Sequence, residues 1–207
     1  MRNGMMRCAC LVIAVSACGG TRVMIPPRID LTEYQIVGVL EFASASEGEL
    51  GPYVTRRFME VARQDQGIVR MTDLGSEAEA LEEVGRPRLD PAALKALGER
   101  HNVRTLITGT LEVSDVRPVI RIAPGLVSSS VAADVDATLA VQMVEATTGA
   151  SLWSSSARAT RRVGHVRILG GREFAFDAAD PDGAYADLVE ALVHQVTRDF
   201  RASWVRQ

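Results

Sequence analysis

Between Val131 and Val144 the side chains alternate in character. Val131, Ala133, Val135, Ala137, Leu139, Val141 and Met143 interleave with Ala132, Asp134, Asp136, Thr138, Ala140, Gln142 and Val144. Successive residues of a strand point to opposite faces, so a period of two held this long predicts a long strand with one face buried and the other largely wet. Thr147-Thr148-Gly149 then turns the chain into Ala150-Ser151-Leu152-Trp153, which reads as the antiparallel partner.

The rest of the chain supplies elements to set around that hairpin. Gln35 to Phe42, with Ile36, Val37, Val39 and Leu40, reads as a strand covered on both faces. Ser46 and Glu49 have capping-box spacing, with a later start at Pro52 as the alternative, and Val54, Phe58, Val61 and Ala62 beyond them fall on one helical face. Ile68 to Thr72 reads as a short strand, and the acidic stretch from Ser76 to Val84 as one or two solvated helical turns. Asp90-Pro91 starts a helix, with Asp90 as N-cap, Leu94 and Leu97 facing inward and Asn102 as a left-handed stop. Arg104 to Val113 reads as a third strand, in which Gly109 marks close backbone approach. Asp180-Pro181 opens a last helix whose stripe of Tyr185, Leu188, Leu192, Val196 and Phe200 is core packing. About 190 residues suffice for one core of ordinary size. The expectation is therefore α/β: a single compact domain over residues 34–207, with a mixed β-sheet, a long antiparallel hairpin and flanking helices.

The first 33 residues read differently. Arg2 and Arg7 precede an apolar run from Cys8 to Ala14, and Val15-Ser16-Ala17-Cys18 ends it with small residues before a cysteine. That order is a lipoprotein signal peptide over residues 1–17 with Cys18 as the acylated residue. About ten apolar residues fall short of the roughly 20 that a membrane-spanning helix needs. Cleavage removes Cys8 and Cys10, so the mature chain cannot form an internal disulfide. Residues 18–33, with Pro26-Pro27, read as a lipidated tether reaching about 50 Å at most. Gly19 follows the cysteine where an aspartate often signals retention in the inner membrane, so similarity to sorted lipoproteins favours the outer membrane and a periplasm-facing domain.

The chain has 23 Lys+Arg against 26 Asp+Glu, and loss of Arg2 and Arg7 takes the net charge from −3 to −5. Nothing in that balance suggests a nucleic-acid footprint. Lys95 is the only lysine.

Several of these stretches, in this order, resemble one family. Pro-Pro-Arg-Ile-Asp-Leu before the first strand, Thr-Leu-Ile-Thr-Gly-Thr-Leu after a helix, and the hairpin Val-Glu-Ala-Thr-Thr-Gly-Ala-Ser-Leu-Trp are similar to the curli-secretion-channel and penicillin-binding-protein-activator group of bacterial lipoproteins. The resemblance covers most of residues 26–200 and implies a periplasmic α/β domain with a non-enzymatic role in assembly, secretion or envelope maintenance. Fold does not assign function. A curli-type channel subunit inserts two long hairpins into the membrane, for which Val116 to Ser130 and Ser154 to Phe176 are the two stretches here. The first lacks aromatic residues and is broken by Pro118 and Pro124-Gly125, and the second carries Arg158, Arg161, Arg162, Arg167 and Arg172. Lipid-facing strands need an apolar outward face with aromatic girdles.

Catalytic constellations are not apparent. His101, His165 and His194 are scattered and have no metal-site spacing, so neither a metal nor a cofactor is expected. Ser128-Ser129-Ser130 and Ser154-Ser155-Ser156 lack a nucleophile elbow, and Gly170-Gly171 reads as a hairpin turn without a phosphate-binding lysine. Asp134 and Asp136 share a sheet face and are a candidate pair of carboxylates for a hydrolase. The expected activity is non-enzymatic: binding to another envelope protein or to further copies of the chain. A curli-type channel subunit is the alternative, and a hydrolase comes after it. The arginines of a hairpin from Arg158 to Arg172, with Glu173 as their only close acidic neighbour in sequence, are the candidate partner-binding residues.

Overall fold

Short strands and helices alternate through the first half of the chain, and long antiparallel strands fill the second. The computed structural model describes residues 21–45, 47–120, 131–164, 166–169, 173–176 and 180–206. In chain order the elements are β1 (Arg22–Ile25), a 3₁₀ turn (Leu31–Tyr34), β2 (Ile36–Val39), β3 (Ala43–Ser44), β4 (Glu47–Gly48) and α1 (Leu50–Ala62). They continue with β5 (Arg70–Asp73), α2 (Glu77–Glu83), α3 (Pro91–His101), β6 (Thr105–Ile120), β7 (Val131–Glu145) and β8 (Ser151–Val163). Then come β9 (Val166–Leu169), β10 (Glu173–Phe176), α4 (Pro181–Val196), a 3₁₀ turn (Thr197–Phe200) and β11 (Ser203–Arg206).

The main sheet has the order β5-β2-β6-β7-β8, with β3 also pairing β6. Its first three strands are parallel, and β6, β7 and β8 are antiparallel. β7 is the strand that the alternation demands: Ala133, Val135, Ala137, Leu139, Val141 and Met143 are all buried. They face α1 and α4 in the larger core, where Tyr185, Leu188, Leu192, Val196 and Phe200 are each at most 1% exposed. Phe200 meets Phe58 edge-on at 6.1 Å and Trp153 at 4.5 Å. A smaller core lies under α2 and α3, where Leu74, Leu94 and Leu97 close on Leu40, Leu106 and Val144. Helices on both faces of a mixed sheet make this a single compact α/β domain.

Local chemistry explains most helix ends. Ser76 and Glu79 form a reciprocal capping box, so the acidic stretch is a true helix. Asp90 accepts the Ala93 N–H at 2.9 Å ahead of Pro91, and Asn102 ends α3 at φ 53°, ψ 44°. At α1 the capping-box expectation fails: Glu49 stands before the first helical residue rather than inside the helix and caps nothing with its side chain, while Ser46 lies outside the described residues. The helix is seated instead by Thr55, whose hydroxyl donates to the Gly51 carbonyl and accepts the Phe42 N–H, each at 2.9 Å.

Three strands differ from expectation, and each time strand pairing is the reason. β5 starts at Arg70 because its register with β2 begins there, leaving Ile68 98% exposed. β6 continues to Ile120 through a bulge between Val113 and Asp115 because β7 pairs it all the way. Past Leu111 its other side has no paired strand among the described residues, so Pro118, which has no N–H, is tolerated. β8 runs to Val163 rather than stopping near Trp153, since β7 offers it partners as far as Ala133. At Gly109, as the sequence leads one to expect, a Cβ would lie 2.7 Å from the buried Phe42 ring.

Residues 22–33, read as part of a tether, have structure of their own. β1 pairs antiparallel with β11, Leu31 is fully buried, and the Ile29 N–H donates to the Asp199 carbonyl at 3.0 Å. Less of residues 18–33 is therefore free to span a distance than Pro26-Pro27 implies. Residues 1–17 and Cys18 lie outside the described residues.

Candidate functional site

One face of the β6–β7–β8 sheet is filled by α1 and α4, but α2 and α3 cover only one end of the other, around Leu106 and Val144. Among the described residues the remainder is open and polar. Its rows follow from register: Thr108, Gln142 and Ser154 lie side by side, then Thr110, Ala140 and Ser156, then Glu112, Thr138 and Arg158. Thr110, Ala140, Gln142, Ser154, Ser156 and Arg158 are exposed. The first two rows line a shallow depression of about 460 Å³. Small hydroxyls and one carboxamide offer both donors and acceptors there, with no ionised group among the lining residues.

Beyond the third row the face becomes ionic. Arg162 grips Asp134 with Nε to Oδ1 at 3.0 Å and Nη2 to Oδ2 at 3.4 Å. Arg117 lies opposite Asp134 in register but reaches diagonally to Asp136, at 2.9 and 3.2 Å. The Thr160 hydroxyl donates to the same carboxylate at 2.5 Å. The Arg117 guanidinium first, and the Thr160 hydroxyl second, hold the Asp136 carboxyl at about 2. A general acid needs its pKa raised towards neutrality, and here it is lowered. Asp134 and Asp136 therefore belong to a cross-strand ion lattice.

The expected arginine-rich hairpin is divided between two sheets. Arg158, Arg161 and Arg162 lie on β8, at one edge of the main sheet, whereas Arg167 is on β9, in a small sheet of order β4-β10-β9. Arg172 and His165 are outside the described residues. The faces differ as well: Arg158 and Arg162 share the open face, while Arg161 pairs in register with the buried Val135 on the other and donates to the Thr160 carbonyl at 2.7 Å. Arg162 is also not left to Glu173, because Asp134 holds it. β9 and β10 pair antiparallel, and Gly170-Gly171 between them lie outside the described residues.

Sequence reasoning did not identify Arg117, Thr160, Thr108, Thr110 or Gln142 as site residues. Their common signal is membership of the wet phase of alternating strands, visible for Gln142 but hidden for the others until register is known. Neither described histidine lines the depression: His101 contacts Glu83 at 3.0 Å at the end of α3, and His194 contacts Arg201 at 2.6 Å on α4. Among the described residues no three His, Cys, Asp or Glu side chains gather as a metal would need, and no helix is long and apolar enough to cross a membrane.

No family model matches the chain, and no curated protein matches it significantly in sequence. Solved structures do. The PelC dodecamer from Paraburkholderia phytofirmans is 16% identical, with 91% of this chain and 99% of that chain covered at a TM-score of 0.45. Lipoprotein GNA1162 from Neisseria meningitidis is 15% identical over 66% of this chain and 88% of that one, with a TM-score of 0.37. The LpoB C-terminal domain from Escherichia coli is 14% identical over 61% and 83%, with a TM-score of 0.36.

Proposed function

We propose that this chain is a non-enzymatic envelope lipoprotein, acylated at Cys18 and held at the outer membrane, whose periplasm-facing domain docks another envelope protein on the open β6–β7–β8 face. The observation that supports this most is the asymmetry of the sheet. One face is packed with apolar side chains, while the other combines a depression of neutral hydroxyls with a flanking ion lattice and leaves Arg158 exposed. Such a face suits a polar, partly hydrated interface, in which many donors and acceptors are matched and charge sets orientation. Arg158 and Arg162 are the partner-facing arginines of this reading, and Arg161, Arg167 and Arg172 are peripheral to it. The curli-type channel reading is weakened by Arg161, which register places on the otherwise apolar face of β8, the face a barrel would turn to lipid.

Photocrosslinking tests the proposal. A photoreactive residue at Ser156 in envelopes should capture a distinct partner, in a yield that falls with salt when Arg158 is intact, while the same residue at the exposed Glu82 of α2 should not. Equal capture at both positions, or none at Ser156, would refute the open face as the interface. Capture of a second copy of the chain would make the partner a homo-oligomer.

A further inference from the structure

β1 and β11 form a two-stranded ribbon in which every residue is exposed. A two-stranded ribbon alone is marginal in water, and one carrying large apolar side chains is less expected still. Val23, Met24, Ile25, Trp204 and Val205 all sit on it, and among the described residues only Ile68 and Leu152 are other large hydrophobics comparably exposed. The register sorts the side chains by face. Met24 pairs with Trp204 and Arg22 with Arg206, so one face carries a methionine–tryptophan pair with two arginines beside it. That face is the more exposed, Trp204 at 65% and Met24 at 53%, against 38–46% for Val23, Ile25 and Val205 on the other.

The chain's geometry indicates what covers it. Arg22, at the arginine end of the ribbon, is four residues after Cys18, so the ribbon starts within about 14 Å of that cysteine. Tryptophan prefers the boundary between head groups and acyl chains, and guanidinium groups pair with phosphate oxygens. Arginines placed beside the apolar pair suit a phosphate-bearing surface rather than a wholly apolar partner.

We infer that the β1–β11 ribbon is an interfacial docking element that lies on an anionic bilayer, with Met24 and Trp204 entering the head-group boundary and Arg22 and Arg206 on lipid phosphates. The inference rests on the acylation of Cys18 proposed above, which brings the ribbon to the membrane. Docking gives the ribbon the cover it lacks in water and fixes the domain's orientation at the surface, which an acyl anchor alone does not do.

Fluorescence of the full chain on vesicles tests it, because the other tryptophan, Trp153, is buried and donates to Asp199 at 3.1 Å. On phosphatidylethanolamine–phosphatidylglycerol vesicles with brominated acyl chains, roughly half or more of the emission lost in Trp204→Phe should be quenched. Arg22→Ser with Arg206→Ser should remove the excess of that quenching over brominated phosphatidylcholine vesicles. Unquenched Trp204 in a vesicle-bound chain would overturn the inference. So would shielding of Trp204 from acrylamide that rises with protein concentration in the absence of lipid, which would assign the ribbon to a second copy. Metabolic acyl labelling separates the two proposals: label without quenching keeps the anchor and removes the ribbon's role, quenching without label does the reverse, and neither removes both.

Discussion

Gln66 uses its whole carboxamide to join three parts of the chain. Its Oε1 accepts the Leu31 N–H at 2.7 Å, and its Nε2 donates to the Ile29 carbonyl at 2.9 Å and to the Phe200 carbonyl at 2.7 Å. The residue is 7% exposed, so water cannot readily replace those bonds. Gln66→Glu keeps the shape but gives up both donors and sets a carboxylate against two carbonyls. It should lower unfolding stability by about 2–3 kcal/mol near neutral pH, measured by urea denaturation. A change within 0.5 kcal/mol, the usual range for a surface substitution, would mean that this junction is not closed by Gln66. Residues that act locally were legible in the sequence: Asp90 and Asn102 bound their helix through neighbours a few positions away, and Gly109 announced a close approach by having no side chain. Gln66 was not, because its partners lie 35, 37 and 134 positions distant and nothing in its own neighbourhood points to them.

Three strands meet in the ion lattice, so its pH response belongs to the elements rather than to one residue. Asp136 titrates at about 2 in the folded chain, against about 3.9 for an unperturbed aspartate. A depressed folded pKa contributes stability that is fully present above the unfolded value and lost as pH falls through the folded one. The stability advantage of the native chain over Asp136→Asn should therefore be constant above about pH 5, shrink progressively below it, and vanish only below about pH 2. Thermal unfolding of both proteins across that range measures it, and an advantage that grows on acidification would contradict the assignment. Exposed pairs of this kind add little stability, so the lattice matters more for how it aligns β6, β7 and β8 than for its energy. β7 was legible because its alternation is uninterrupted. β8 was cut short because Ser154-Ser155-Ser156 erases the apolar phase, leaving only Trp153, Ala157, Ala159 and Val163 on the buried side. The arginines after them therefore read in sequence as a separate hairpin, whereas the register with β7 carries Arg158 and Arg162 onto the sheet.

At the scale of the whole molecule, one sheet separates a packed side from a polar side, and the two chain ends meet in an exposed apolar ribbon. The α/β class and the last helix followed from apolar periodicity, a property each segment carries alone. The open face and the ribbon did not, since each is made by segments brought together only on folding: β11 with β1, and β8 with β7 and β6. The central claim is that the open face is the working surface, and a thiol tests it directly. With Cys8 and Cys10 removed and Cys18 acylated, as proposed, an introduced cysteine is the one free thiol of the mature chain. Maleimide should label Gln142→Cys severalfold more slowly in intact envelopes than in purified protein, while Glu82→Cys on α2 should react at the same rate in both. Equal reactivity of Gln142→Cys in the two settings would mean that nothing docks on this face.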